Sequence, residues 1–252
     1  MIFVIASAKK LDFARQLPAV EGTAPARLKE AAGLARILKG LDMAALADLM
    51  GMSGELAALT AGRFAAWKPA HAAPEARPAV LAYSGDAYQG LDAWSLAPAD
   101  LAWAQDRLRI VSGLYGLLRP LDLIRPYRLE MGTRLANPDG ADLVAAWRPR
   151  VTRDLARDLR AAGGPLVNLA SGEAFAAVDA SGLGRVVTPV FEDLQRGTYR
   201  VVSFHAKRAR GRMVRFAIRG RIERAEDLQA FGEDGYRFEP RASDGDRWVF
   251  RR

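Results

Sequence analysis

The sequence predicts a mixed α/β fold, an α+β unit built on one central mixed sheet. Three observations predict it. Short apolar runs such as Ile2–Ala6, Leu108–Val111 and Leu166–Leu169 have the length and branching of buried strands. Longer stretches between them keep helical spacing, most clearly Leu143–Ala162. No repeat, low-complexity tail or linker divides the 252 residues, so one compact domain over 1–252 is expected.

The elements follow in order. Ile2–Ala6 opens as a buried strand. Residues 27–67 read as helical, broken at Gly40 and at Gly51–Gly54, and form a helical subdomain. Ala79–Tyr83 reads as a second short apolar strand. Pro98–Arg107 reads as a helix, and Leu108–Val111 as the strand after it. Leu143–Ala162 is a helix stopped by Gly163-Gly164. Leu166–Leu169 is a strand, and Ser171 is placed to cap a helix over Glu173–Val178. Val186–Phe191 and Tyr199–Phe204 read as paired strands around Gln195-Arg196-Gly197. A helix spans His205–Gly220. Tyr236–Glu239 and Arg247–Phe250 close the chain as a hairpin around Ser243-Asp244-Gly245.

Ser112–Gly132, SGLYGLLRPLDLIRPYRLEMG, fits neither period. It sets Arg119, Arg125, Arg128, Asp122 and Glu130 among leucines, with Gly113, Gly116, Pro120 and Pro126 interrupting. Unpaired charges are too costly to bury. The block therefore reads as a half-buried irregular segment with paired charges, of the kind that lines clefts.

Composition narrows the chemistry. The formal charge of +8 points to polyanionic partners. There is no cysteine and there are only two histidines, His71 and His205, so thiol chemistry, disulfides and histidine-rich metal sites are excluded. No metal or cofactor is expected. The first residues lack the charge order of a signal peptide, and no run is long enough to span a membrane, so a cytoplasmic protein is expected.

Two features point to nucleic acid. Nine Lys or Arg and no acid lie between Gln195 and Ile222. On a helix at about 100° per residue, Arg208, Arg212, Arg215 and Arg219 share one stripe opposite Met213 and Phe216. A solvated face would be the ordinary explanation, but no Asp or Glu on the helix relieves the repulsion. In LADLMGMSGELAALTAGRF two short helices meet at Gly51-Met52-Ser53-Gly54. The spacing resembles a helix-hairpin-helix, in which the turn and the next helix's N–H groups hold a phosphate; plain packing explains such a turn as well.

A further set follows short apolar segments. Lys9 comes after Ile2–Ala6, Asp86 and Tyr88 after Ala79–Tyr83, Ser112 and Tyr115 after Leu108–Val111, and Asn168, Ser171 and Glu173 at or after Leu166–Leu169. In open α/β sheets ligands sit where strand ends converge. Arg119, Asp122 and Arg128 of the irregular block and Lys207 and Arg210 of the basic helix complete one expected cleft. Lys9, Asp86 and Glu173 are its candidates for acid–base work on a nucleobase or nucleoside. Each has a plain alternative: Ser171 as a cap, Glu173 against a helix dipole, Asp86 in a turn.

The irregular block resembles that of the YaaA family of bacterial peroxide stress proteins. AKKLDF at Ala8–Phe13, GDAYQGL at Gly85–Leu91, VNLASGEAF at Val167–Phe175 and VSFHAKRARGRMVRF at Val202–Phe216 match in the same order. Ala6-Ser7 replaces the family's usual Ser-Pro, and Gly172 stands where an acid is usual. The resemblance implies a stress protein that limits peroxide- and iron-driven DNA damage and binds double-stranded DNA, largely through its backbone. An enzyme acting on a nucleotide-like ligand in the cleft is the alternative expectation.

Overall fold

The computed structural model describes residues 1–252. The chain runs β1 (Ile2–Ala6), α1 (Leu28–Lys39), α2 (Met43–Met50), α3 (Gly54–Ala66), β2 (Arg77–Pro78), α4 (Ala79–Ala82) and α5 (Asp86–Leu91). It continues through α6 (Pro98–Arg107), β3 (Leu108–Ser112), β4 (Gly116–Leu118), β5 (Leu123–Ile124), α7 (Leu143–Ala162), β6 (Leu166–Asn168) and α8 (Gly172–Phe175). The last elements are β7 (Val186–Gln195), β8 (Thr198–Arg200), α9 (Ser203–Gly220), β9 (Arg237–Phe238) and β10 (Arg247–Arg251).

Eight strands form one mixed sheet in the order β4-β3-β1-β6-β7-β10-β9, with β8 paired to the far end of β7. The five central strands are parallel, and β4, β8 and β9 pair antiparallel. Parallel strands are covered on both faces, which explains why β1, IFVIA, is apolar without alternation. Helix α7 packs on β1 and β4, and α9 on β1 and β7. Gly116 allows the return from β3 to β4: its φ is +70°, and a Cβ there would lie 2.5 Å from the Trp147 ring of α7. One hydrophobic core of 63 buried residues takes in Leu34 and Leu38 of α1, Leu46 of α2 and Phe64 of α3 together with the sheet. The 28–66 helices thus share the main core.

Two strand expectations are corrected. Ala79–Ala82 is a helical turn, with the Tyr83 N–H bonding the Ala79 carbonyl at 3.0 Å. The run is buried all round, so it carries no period that separates strand from helix. Its first two N–H groups bond the carbonyls of Asp122 and Pro120, which no sequence pattern announces. Of Tyr199–Phe204, only the first two residues are strand. The chain turns helical at Ser203, so Phe204 lies in the first turn of α9. Residues 51–54 join α2 to α3 as a tight turn, Gly51 taking φ +58°.

Candidate functional site

The parallel direction of β1, β3 and β6 puts their carboxyl ends side by side. A cavity of about 350 Å³ opens there. Its walls are Ala6–Lys10 after β1, Val111 of β3, Leu169 and Ser171 after β6, Glu173 of α8, and Ser84–Gln89 around the start of α5. Tyr127–Met131 of the irregular block and Lys207 and Arg210 of α9 complete it.

Helix α9 reaches the cavity through a glycine contact. A Cβ on Gly90 of α5 would lie 2.1 Å from the Arg208 carbonyl oxygen, and one on Gly211 would lie 1.7 Å from that of Ala87. Only two glycines let these backbones touch. The contact seats half-buried Arg210 in the cavity wall and exposed Lys207 at its mouth.

Five cations line the cavity, Lys9, Lys10, Arg128, Lys207 and Arg210, against three carboxylates, Asp86, Glu130 and Glu173. Two carboxylates are engaged. Glu130 takes Lys9 Nζ at 2.5 Å and Arg128 Nη2 at 3.2 Å. Glu173 accepts the Gly132 N–H at 3.0 Å. Lys10, Lys207 and Arg210 make no salt bridge, and the buried Nε of Arg128 has no hydrogen-bond partner. Burial holds the Arg210 guanidinium below its usual range. The same holds for Arg63 of α3, by burial first and then by the charge of Arg128 beside it. The cavity and its rim therefore carry excess, underpaired positive charge, suited to an anion.

Of the residues expected in one cleft, Lys9, Asp86, Tyr88, Arg128, Ser171, Glu173, Lys207 and Arg210 line this cavity. Five do not. Ser112 and Tyr115 lie behind its wall: the Ser112 hydroxyl is 2.7 Å from the Tyr127 hydroxyl and accepts the Tyr115 N–H. Asn168 turns back to accept the Ala170 N–H at 3.1 Å. Arg119 and Asp122 sit elsewhere, because β4 runs antiparallel to β3 and carries the chain back toward the amino end of the sheet. There Asp122 is bound by Arg119 Nη2 at 3.1 Å and by the Thr23 hydroxyl at 2.6 Å. Burial raises the Asp122 carboxyl, against the pull of Thr23 and Arg119.

The arginine stripe of α9 is also corrected. Arg212 lies between Glu233 at 3.0 Å and Asp234 at 2.6 Å, the Nε facing Asp234 as a charge contact without hydrogen-bond aim. Arg215 donates to the carbonyls of Leu91 and Asp92 at 3.1 and 2.9 Å, tying down the end of α5. The relieving acids come from outside the helix. Arg208 and Arg219 remain exposed and unpaired. Gly51, Ser53 and Gly54 are exposed at their turn.

Lys10, Glu130 and Tyr127 were not among the expected lining residues. Glu130 had a signal, lying two residues beyond Arg128 in a block expected to pair its charges. No group of three or more His, Asp or Glu side chains converges as a metal-ligand set.

The chain is similar to known proteins along its whole length. The family model described as peroxide stress protein YaaA matches residues 1–242. A UPF0246 protein of Azoarcus sp. is 52% identical over 258 residues, covering 100% of this chain and 99% of its own. One from Laribacter hongkongensis is 52% identical over 256 residues, with 100% and 99% covered. One from Hahella chejuensis is 46% identical over 254 residues, with the same coverage.

Proposed function

The chain belongs to the YaaA family of peroxide stress proteins, and from that premise we propose that it binds duplex DNA by its backbone at the strand-end cleft. The single observation that carries the proposal is the pair Arg63 and Arg210. Both guanidiniums are half-buried without a carboxylate partner; Arg210 lines the cleft, and Arg63 feels the charge of Arg128, which lines it too. A desolvated, unpaired cation costs the fold stability. A phosphate supplies the missing charge and two strong hydrogen bonds, so that cost turns into affinity. Lys10, Lys207 and exposed Arg208 extend the positive surface. Helix α3 links this rim to the Gly51–Gly54 turn, nine residues or about 14 Å from Arg63, where free backbone N–H groups suit a second phosphate. Contacts of this kind read no sequence. The stress role is then to cover DNA against oxidative damage.

Fluorescence anisotropy with two duplexes of unrelated sequence tests the proposal. Arg63→Ala with Arg210→Ala should weaken both alike. It should flatten the slope of log affinity against log salt by roughly 1.8, at about 0.9 per lost phosphate contact. An unchanged slope sinks it. A phosphate-bearing nucleotide is the second reading, favoured by a cavity volume of about 350 Å³, within the usual range for small-ligand sites. Calorimetric binding of a mononucleotide, with no salt-sensitive duplex binding, would select it.

A further inference from the structure

Behind the cleft wall lies an aromatic cluster that anion binding leaves unused. Tyr115 is fully buried. Its hydroxyl oxygen meets three groups: the Trp67 indole N–H at 3.0 Å, the Arg125 backbone N–H at 3.1 Å and His71 Nε2 at 2.9 Å. An indole and an amide N–H can only donate. They occupy both lone pairs of the phenol, which has only its own proton left for the third partner. His71 Nε2 must therefore accept. The imidazole proton then sits on Nδ1, 3.0 Å from the Pro69 carbonyl oxygen, which needs a donor. Hydrogen counting alone makes His71 neutral. Burial, aided by the nearby Arg125 charge, lowers its pKa in the same sense.

No other tyrosine of the cluster has a base. Tyr83 and Tyr127 share their hydroxyls at 2.6 Å, Tyr127 meets the Ser112 hydroxyl, and Tyr88 donates to the Ala6 carbonyl. The Tyr115 ring stands edge-on to Tyr127 with centroids 5.4 Å apart, and Tyr127 lines the cleft. On its other side Tyr115 adjoins Trp67 and half-buried His71.

We propose that Tyr115 and His71 form a redox site that gives one electron to strong one-electron oxidants, the class of oxygen- and carbonate-centred radicals. The electron leaves the Tyr115 ring and the oxidant is reduced by one electron. The phenolic O–H bond breaks, and its proton forms a new N–H bond at His71 Nε2. The products are a neutral tyrosyl radical and an imidazolium hydrogen-bonded to it. A thiol or an ascorbate-type reductant returns the electron, and His71 returns the proton. The base is what makes Tyr115 suitable. Without it, oxidation would strand a cation among apolar rings, where unsolvated charge is very costly.

Photogenerated ruthenium(III) tris-bipyridine serves as the oxidant, with electron paramagnetic resonance on the whole chain as the readout. A tyrosyl radical hydrogen-bonded to a histidine is expected, and Tyr115→Phe should abolish that species, leaving at most the histidine-free signal that Tyr236, bonded to Asp193 at 2.9 Å, or exposed Tyr199 can give. His71→Ala should slow its formation by about a hundredfold, the low end of what a positioned base contributes, and added imidazole should restore the rate. An unchanged radical in Tyr115→Phe, or an unchanged rate in His71→Ala, overturns the proposal. Should either variant fail to fold, the wild-type protein still decides it. Isotopically labelled histidine must show magnetic coupling to the radical, and its absence overturns the assignment.

Discussion

Single residues here act through what they are paired with. His71 shows it best, because one hydroxyl settles its protonation state. Its pKa is held below the ordinary 6.5 by burial. Above pH 6.5 both folded and unfolded chains keep the ring neutral, and its full contribution to stability is present. As pH falls below 6.5 the unfolded chain takes up a proton that the folded ring resists, so stability falls until the lower folded pKa is passed. A protonated ring would also leave the Tyr115 oxygen facing three donors. Denaturant midpoints for wild type and His71→Gln, compared between about pH 5 and 8, should diverge only on the acid side, the wild type losing more. Parallel curves would show that His71 titrates freely. The arginines of α9 teach the same lesson. Arg212 and Arg215 look like Arg208 and Arg219 in sequence, yet two are tied to the fold and two are not.

At the scale of elements, the α5–α9 contact decides the site. Two backbones meet at Gly90 and Gly211 with no room for a methyl group. Gly211→Ala removes an unfavourable helix residue, worth about 1 kcal/mol in an open helix. The new Cβ would nevertheless fall 1.7 Å from the Ala87 carbonyl oxygen, and backbone cannot yield as a side chain does. The expected net loss is about 2 kcal/mol, an overpacking cost near 3 kcal/mol less the propensity gain. Anion affinity should fall too, since the helix that carries Lys207 and Arg210 must shift outward. Thermal unfolding and anisotropy on the one variant check both. A stabilised variant would mean that the helices part without cost.

At the scale of the whole molecule, one core joins the sheet to α1–α3 through Leu34, Leu38, Leu46, Phe64 and Trp67. The Arg125 side chain adds a tie from the irregular block to the carbonyl of Ala70 at 2.9 Å, just beyond α3. Elements that share a core unfold together. Tryptophan fluorescence and far-ultraviolet circular dichroism should therefore give one coincident denaturant transition. An earlier loss of helix signal alone would make the 28–66 helices an independent unit.

The sequence by itself determined the elements whose signals are local. Helices at Pro98–Arg107 and Leu143–Ala162 have the bounds their caps and stops predict, and β1, β3 and β6 stand where short branched runs place them. It also brought eight of the thirteen expected lining residues to one cavity; Lys9, Ser171 and Glu173 are there because parallel β1 and β6 share a carboxyl end and the residues after each land there. Only the tertiary structure decided the rest, since the deciding partner lay far along the chain. Ala79–Ala82 became a helical turn through carbonyls some forty residues on. Arg119 left the cleft because β4 doubled back along β3. Arg212 met its acids about twenty residues later, at Glu233 and Asp234. Local pattern records the period of an element and the residue that ends it; it holds no record of which distant charge or carbonyl will fold against it.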